Sequence, residues 1–144
     1  MAFIELQEMM ARAISFEKQM ATFYGSVLSR VTVESSRKTI ERLVAEEGKH
    51  ALKLMEFRPH LPGAGVIQFP PDMPALPSPD DFLASGSDVA ALLKAAIKLE
   101  QEAEGFYGRL ADASPAGSVR ELFTALRNFE KGHIDLLTRE LAYL

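Results

Sequence analysis

Apolar residues recur at alternating spacings of three and four in four stretches of the chain. The first stretch reads Leu6, Met10, Ala13, Glu17, Met20, Tyr24, Val27 and Val31, and the second reads Ile40, Leu43, Glu47, His50, Leu54 and Phe57. The third is Val89, Leu93, Ala96, Glu100, Ala103, Tyr107 and Leu110, and the fourth Phe123, Leu126, Glu130, His133 and Leu137. Such spacing draws one stripe along a helix, and that stripe has to face a partner. No stretch alternates with period two, so no strand is expected. Helix starts are predicted at Ser114-Pro115, with proline in the first helical position, and at Ser87 before Asp88. Ser35 or Thr32 would cap the second helix.

Seven of the eight prolines fall between Phe57 and Ser87. Proline cannot occupy a helix interior, so this segment is predicted to be an extended crossover over about residues 58–86. A crossover that long lets the second and third helices run parallel, while the short links make antiparallel hairpins of helices 1–2 and 3–4.

The two halves repeat. Adding 83 to a residue number carries Ala13, Ile14 and Glu17 onto Ala96, Ile97 and Glu100, and Phe23, Tyr24 and Gly25 onto Phe106, Tyr107 and Gly108. The same offset carries Leu43, Glu47, His50 and Leu54 onto Leu126, Glu130, His133 and Leu137. A constant offset through two helices and their link predicts a duplicated hairpin with a pseudo-twofold axis. The expected architecture is an all-α four-helix bundle in one domain, 1–144, with half-repeats 1–57 and 87–144.

The stripes are broken in an ordered way. Glu17, Glu47, Glu100 and Glu130 occupy positions that should be apolar, and His50 and His133 each follow a glutamate by three residues. Four carboxylates aimed into one core repel one another and need a positive partner. Few lysines or arginines fall on these stripes, so bound cations must fill that role, and two divalent ions balance four carboxylates. Glu-x-x-His suits this because positions i and i+3 share a helix face and can reach one ion. The motif occurs as Glu47-Gly-Lys-His50 and Glu130-Lys-Gly-His133, each with a core glutamate 30 residues upstream. A single Glu-x-x-His arises by chance on many helices; two in register within a repeat are far more specific. The carboxylate-rich set suits iron, with manganese as the substitute at one or both positions.

Composition narrows the remaining choices. The chain has no cysteine, which excludes a thiol nucleophile, a disulfide framework and iron–sulfur or all-cysteine metal sites. Its net charge of −4 argues against nucleic acid as a partner. No apolar run approaches the roughly 20 residues that span a bilayer. The first residues carry Glu5, Glu8 and Glu17 without a basic start, so a cytoplasmic protein with no membrane partner is expected.

The segments AISFEKQMATFY and AIKLEQEAEGFY, with EEGKH and FEKGH, resemble the ferritin-like superfamily, most closely its rubrerythrin-like branch. The resemblance covers essentially the whole chain and implies ferritin-like topology. It implies that Glu17 and Glu100 are terminal ligands, that Glu47 and Glu130 bridge two irons, and that His50 and His133 each cap one. Tyr24 and Tyr107 match tyrosines that hydrogen-bond ligand carboxylates in that family; packing in the core with the hydroxyl satisfied elsewhere is the equal alternative. Rubrerythrins proper add a rubredoxin-like domain with four cysteines, absent from this chain, so the electron donor would be a separate protein. They also carry a further helix-3 glutamate where this chain has Ala103, and Glu104 could only approximate that role. The remaining four-glutamate, two-histidine set resembles the ferroxidase centre of bacterioferritins equally well.

The implied function is reduction of hydrogen peroxide or dioxygen at a dinuclear iron centre. The alternatives are a ferroxidase that handles iron and a metal-stabilised bundle without turnover. Other residues read blandly: His60 as a surface residue, Met9, Met10 and Met20 as core fillers, Glu41 and Glu46 on solvated faces. Phe16, Phe23, Leu99 and Phe106 form a second apolar stripe that either widens the helix contacts or buries against a second copy in a homodimer.

Overall fold

Each predicted stripe becomes the buried face of one long helix: α1 (Leu6–Leu28), α2 (Glu34–Phe57), α3 (Val89–Ala113) and α4 (Ser118–Tyr143). The computed structural model describes residues 3–61, 65–68, 70–78 and 88–144. It is an all-α four-helix bundle. α1 packs along α2 and α3 along α4 as two hairpins.

Contacts between the hairpins fix the helix directions. Tyr24 of α1 meets Glu100 of α3 while Glu17 meets Tyr107, so α1 and α3 are antiparallel. On the other side, His50 approaches Glu130 and Glu47 approaches His133, so α2 and α4 are antiparallel too. It follows that α2 and α3 run in the same direction, which requires a connection spanning the length of the bundle. Among the described residues, no helix is long and apolar enough to cross a membrane.

The crossover is more structured than its prolines suggest. It opens with a 3-10 turn, Arg58–His60, and includes a strand, β2 (Val66–Gln68), which pairs antiparallel with β1 (Phe3–Glu5) ahead of α1. This corrects the expectation that the chain has no strand. Each strand has only three residues with one buried side chain, Ile4 or Ile67, which is too short for alternation to show in the sequence. The ribbon also serves α1, because the Gly65 carbonyl accepts from Leu6 N–H at 3.0 Å and satisfies a donor at the helix start. A β-carbon at Gly65 would collide with the tip of the Leu6 side chain, which would have to move to make room.

Farther along, Met73 and Leu76 pack on the core, and Leu76 and Pro77 lie beside Phe23 of α1 and Leu99 of α3. Phe16 meets Phe106 across α1 and α3 with ring centroids 5.9 Å apart. The second apolar stripe is therefore consumed within the chain, between helices and beneath the crossover. Met9, Met10 and Met20 are core residues, and His60 is exposed.

Three predicted helix starts differ from those observed. Ser114 ends α3, with its hydroxyl on the Leu110 carbonyl at 2.6 Å, and Pro115 lies in the link. Arg120 reaches back to the Ala111 and Ser114 carbonyls, so the link turns once more, and α4 begins after Gly117 at φ 110°. Asp88 itself caps α3, accepting from Ala90 N–H at 3.0 Å; Ser87 lies outside the described residues. At the start of α2 the cap position is Val33, without a side-chain cap. The Ser35 and Ser36 hydroxyls instead donate to Glu140 of α4 at 2.6 and 2.9 Å, because a buried carboxylate there outcompetes the local backbone.

Candidate metal centre

Six polar side chains meet at mid-bundle. Glu17 comes from α1, Glu47 and His50 from α2, Glu100 from α3, and Glu130 and His133 from α4; every one is at least 96% buried. Their donor atoms fall into two overlapping groups, each able to hold a metal ion: Glu17, Glu47, His50, Glu130 and Glu47, Glu100, Glu130, His133. Within each group the donor atoms lie within 4.8 Å of one another. Opposite donors around an ion with bonds of about 2.1 Å stand about 4.2 Å apart, so only a slight contraction is needed. Glu47 and Glu130 belong to both groups, whereas each hairpin supplies one unshared glutamate and one histidine.

Both histidines turn Nδ1 inward. His133 Nδ1 lies 2.8 Å from Glu47, 3.5 Å from Glu100 and 3.6 Å from Glu130. His50 Nδ1 lies 3.6 Å from Glu130 and 3.8 Å from both Glu17 and Glu47. These approaches leave the hydrogen-bonding capacity unmet. Among the described residues, buried side-chain atoms without a hydrogen-bond partner are one oxygen each of Glu17 and Glu100, both oxygens of Glu47 and Glu130, both Nδ1 atoms and Arg127 Nε. All but the last point into the cluster. Buried polar atoms are normally paired, so a convergent set of orphaned anionic oxygens and imidazole nitrogens fits bound cations.

The tyrosines tie the halves together across the pseudo-twofold axis. Tyr24 O–H donates to Glu100 Oε1 at 3.0 Å, and Tyr107 O–H donates to Glu17 Oε1 at 2.8 Å. Each tyrosine thus holds the unshared glutamate of the opposite hairpin. Burial, with the facing carboxylate adding to it, raises both phenols and keeps them as donors.

Electrostatics divide the carboxylates by position. Burial pushes the Glu17 and Glu100 carboxyls well above the usual range, and the neighbouring shared glutamates add to that rise. For Glu47, burial is outweighed by contacts with Glu17, His133 and His50, which hold it down at about 2. Glu130 is lowered likewise: Glu100, His133 and His50 overcome burial and the charge of Glu47. Burial would discharge the imidazoles, but the surrounding glutamates win, raising His50 to about 11 and His133 further in the same direction. Without metal, these shifts favour protons kept on Glu17, Glu100 and the two imidazoles. Divalent ions bound among these donors would displace those protons.

Glu46 is partly exposed, as its position off the stripe suggests, but its carboxylate also has partners within the bundle. Its Oε2 lies 2.6 Å from His133 Nε2, and its Oε1 accepts from Arg42 Nε at 2.9 Å. Burial of Glu46 is offset by Arg42 and His133, which hold its carboxyl below the usual value. Glu41 is exposed, 3.8 Å from Arg37. Ala103 is fully buried, and Glu104 points away from the cluster, its carboxylate 3.9 Å from Lys131 Nζ. No seventh carboxylate joins the two groups among the described residues.

A cavity of about 430 Å³ opens between α2 and α4 and reaches both histidines. Arg42, Lys49, Lys53 and Arg139 line it beside Glu46, and Phe129 packs against His50 with centroids 4.7 Å apart.

No protein-family model and no curated protein matches this chain. A solved structure described as a hypothetical protein from Pyrococcus furiosus is similar to it, with a TM-score of 0.69 and 26% identity. The match covers 95% of this chain and 88% of that one.

Proposed function

We propose that this chain is a dinuclear iron oxidoreductase of the ferritin-like, rubrerythrin-like kind that reduces hydrogen peroxide or dioxygen. The observation that carries this reading is the pair of four-donor groups sharing Glu47 and Glu130. Glu17 and His50 would hold one ion, Glu100 and His133 the other, and the shared glutamates both. Two ferrous ions there would supply the two electrons that, with two protons, convert hydrogen peroxide to two waters, and a separate donor protein would return those electrons.

The side chains contribute the rest. Complete burial of the four glutamates keeps bulk water from their carboxyl groups, and Tyr24 and Tyr107 fix the unshared pair while their second oxygens stay free. The cavity gives a small oxidant a route to the histidine side. Four cations against one carboxylate at that mouth disfavour entry of a divalent cation and tolerate a neutral or anionic substrate.

Iron oxidation for storage or transfer is the second reading, favoured by Ala103 in place of a seventh carboxylate. Anaerobic loading with Fe(II), elemental analysis and stopped-flow mixing with hydrogen peroxide separate these ideas. Two irons per chain, oxidised by peroxide and turning over with an added reductant, support the proposal. Oxidation that stops after one turnover and resumes only on adding Fe(II) supports iron handling. No retained metal sinks both.

A further inference from the structure

The 83-residue repeat places Glu46 opposite Phe129 and Arg42 opposite Ala125. Glu46 and Phe129 are the positions that reach across the α2–α4 interface to the other hairpin's histidine, and they differ in kind. Glu46 meets the outer nitrogen of His133 at 2.6 Å and is itself anchored by Arg42. Phe129 instead lays its ring against His50, with Lys53 Nζ 4.9 Å from the centroid of that ring. The only carboxylates near His50 among the described residues belong to the cluster itself. Both imidazoles present Nδ1 to the donors, so one has an anchored anionic acceptor behind it and the other an aromatic ring.

A carboxylate accepting from Nε2–H fixes the tautomer that leaves Nδ1 free to ligate, orients the ring and makes it a stronger donor. An aromatic ring packed on the imidazole restrains its orientation but neither fixes the tautomer nor strengthens the donor. From this difference we infer that the two metal positions are inequivalent, with Glu46 a positioning residue that makes the Glu47, Glu100, Glu130, His133 position the tighter and first filled. The Glu17, Glu47, His50, Glu130 position is the weaker and second filled, and lies under Phe129 at the cavity. The inference rests on the dinuclear reading proposed above.

Anaerobic Fe(II) titration against a competing chelator, with Mössbauer spectra at one and two irons per chain, tests it. Wild-type protein should show one dominant ferrous doublet at one iron and a second doublet at two. Glu46→Gln keeps the size and removes the charge; it should weaken the first binding constant about 10- to 100-fold, leave the second nearly unchanged, and spread one iron over two doublets. Phe129→Glu places a carboxylate behind His50 and should tighten the second constant. That variant carries the test should Glu46→Gln fail to fold. Two irons bound with constants and spectra unmoved by either substitution overturn the inference and leave the dinuclear centre standing. A wild-type chain that binds no iron overturns both.

Discussion

Where α1 meets α3 the cluster is sealed, and where α2 meets α4 it is open. On the sealed side, Phe16 packs on Phe106, the crossover covers Phe23 and Leu99, and both tyrosine hydroxyls are spent on carboxylates. On the open side, two stacked imidazoles 5.6 Å apart form the floor of a cavity walled by lysines and arginines. Both sides derive from the same repeated hairpin. The repeat therefore sets where the donors stand, while the crossover and the positions at which the half-repeats differ decide which side is covered and which stays open. In a protein whose core carries four buried glutamates, that division leaves one side packed and the other open to small molecules.

The comparison breaks most completely if the shared donors go. Glu47→Ala or Glu130→Ala removes an oxygen donor from both groups at once, so metal content should fall from two ions per chain to one or none. Elemental analysis after anaerobic loading reads this directly, and two retained ions would show that the shared positions are dispensable.

Metal removal ranks next, and its effect depends on pH. His50, raised from 6.5 to about 11, adds stability to the metal-free protein that is full below pH 6.5 and lost as pH climbs toward 11. Glu17 and Glu100, raised above 4.5, also cost stability as pH rises, because the unfolded chain has already released those protons. Glu47 acts oppositely, but only below pH 4.5 as its carboxylate is protonated. Between pH 6 and 9 the stripped protein should therefore lose stability while the loaded one, whose ligands hold metal in place of protons, does not. Bound metal at 100 times its dissociation constant adds about 2.7 kcal/mol. Paired melting curves should show a gap that widens with pH, and a constant gap would count against a cluster neutralised by protons.

On the sealed side, Tyr107→Phe leaves Glu17 Oε1 without its donor in a fully buried setting. An unpaired buried acceptor costs about 1–3 kcal/mol. Denaturant unfolding should show that loss for Tyr107→Phe, and for Tyr24→Phe at Glu100, with metal content little changed. A variant as stable as wild type would mean that the ligand carboxylate shifts freely to another partner.

Much of this division was legible in the sequence. Stripes of three and four gave the helices, and polar residues inside them, repeated at an offset of 83, gave the six donors. Glu46 was not legible, because it lies one residue before Glu47 and off the stripe, and only the approach of α2 to α4 brings it to His133. The available signal was Arg42 one turn earlier and the exchange of Glu46 for Phe129 between half-repeats. The β1–β2 ribbon was hidden for a different reason: its strands are short and some 60 residues apart. Ser114-Pro115 misled because a serine that can cap a following helix can also close the preceding one, and Arg120 favours the second use.

Glu140 sharpens the distinction between a buried carboxylate and a metal ligand. It is 9% exposed, almost as buried as the six donors, yet one of its oxygens accepts from both Ser35 and Ser36. Two hydroxyl donors satisfy that oxygen, and the contact pins the start of α2 to the end of α4, away from both donor groups. Replacing both serines by alanine should cost about 1–3 kcal/mol by leaving that oxygen buried and unpaired. It should leave metal content and the ferrous spectrum as they are in wild type. Loss of metal with that stability change would show that the end of α2 and the donor cluster are coupled, so that the open side depends on this remote clasp as well as on the residues lining it.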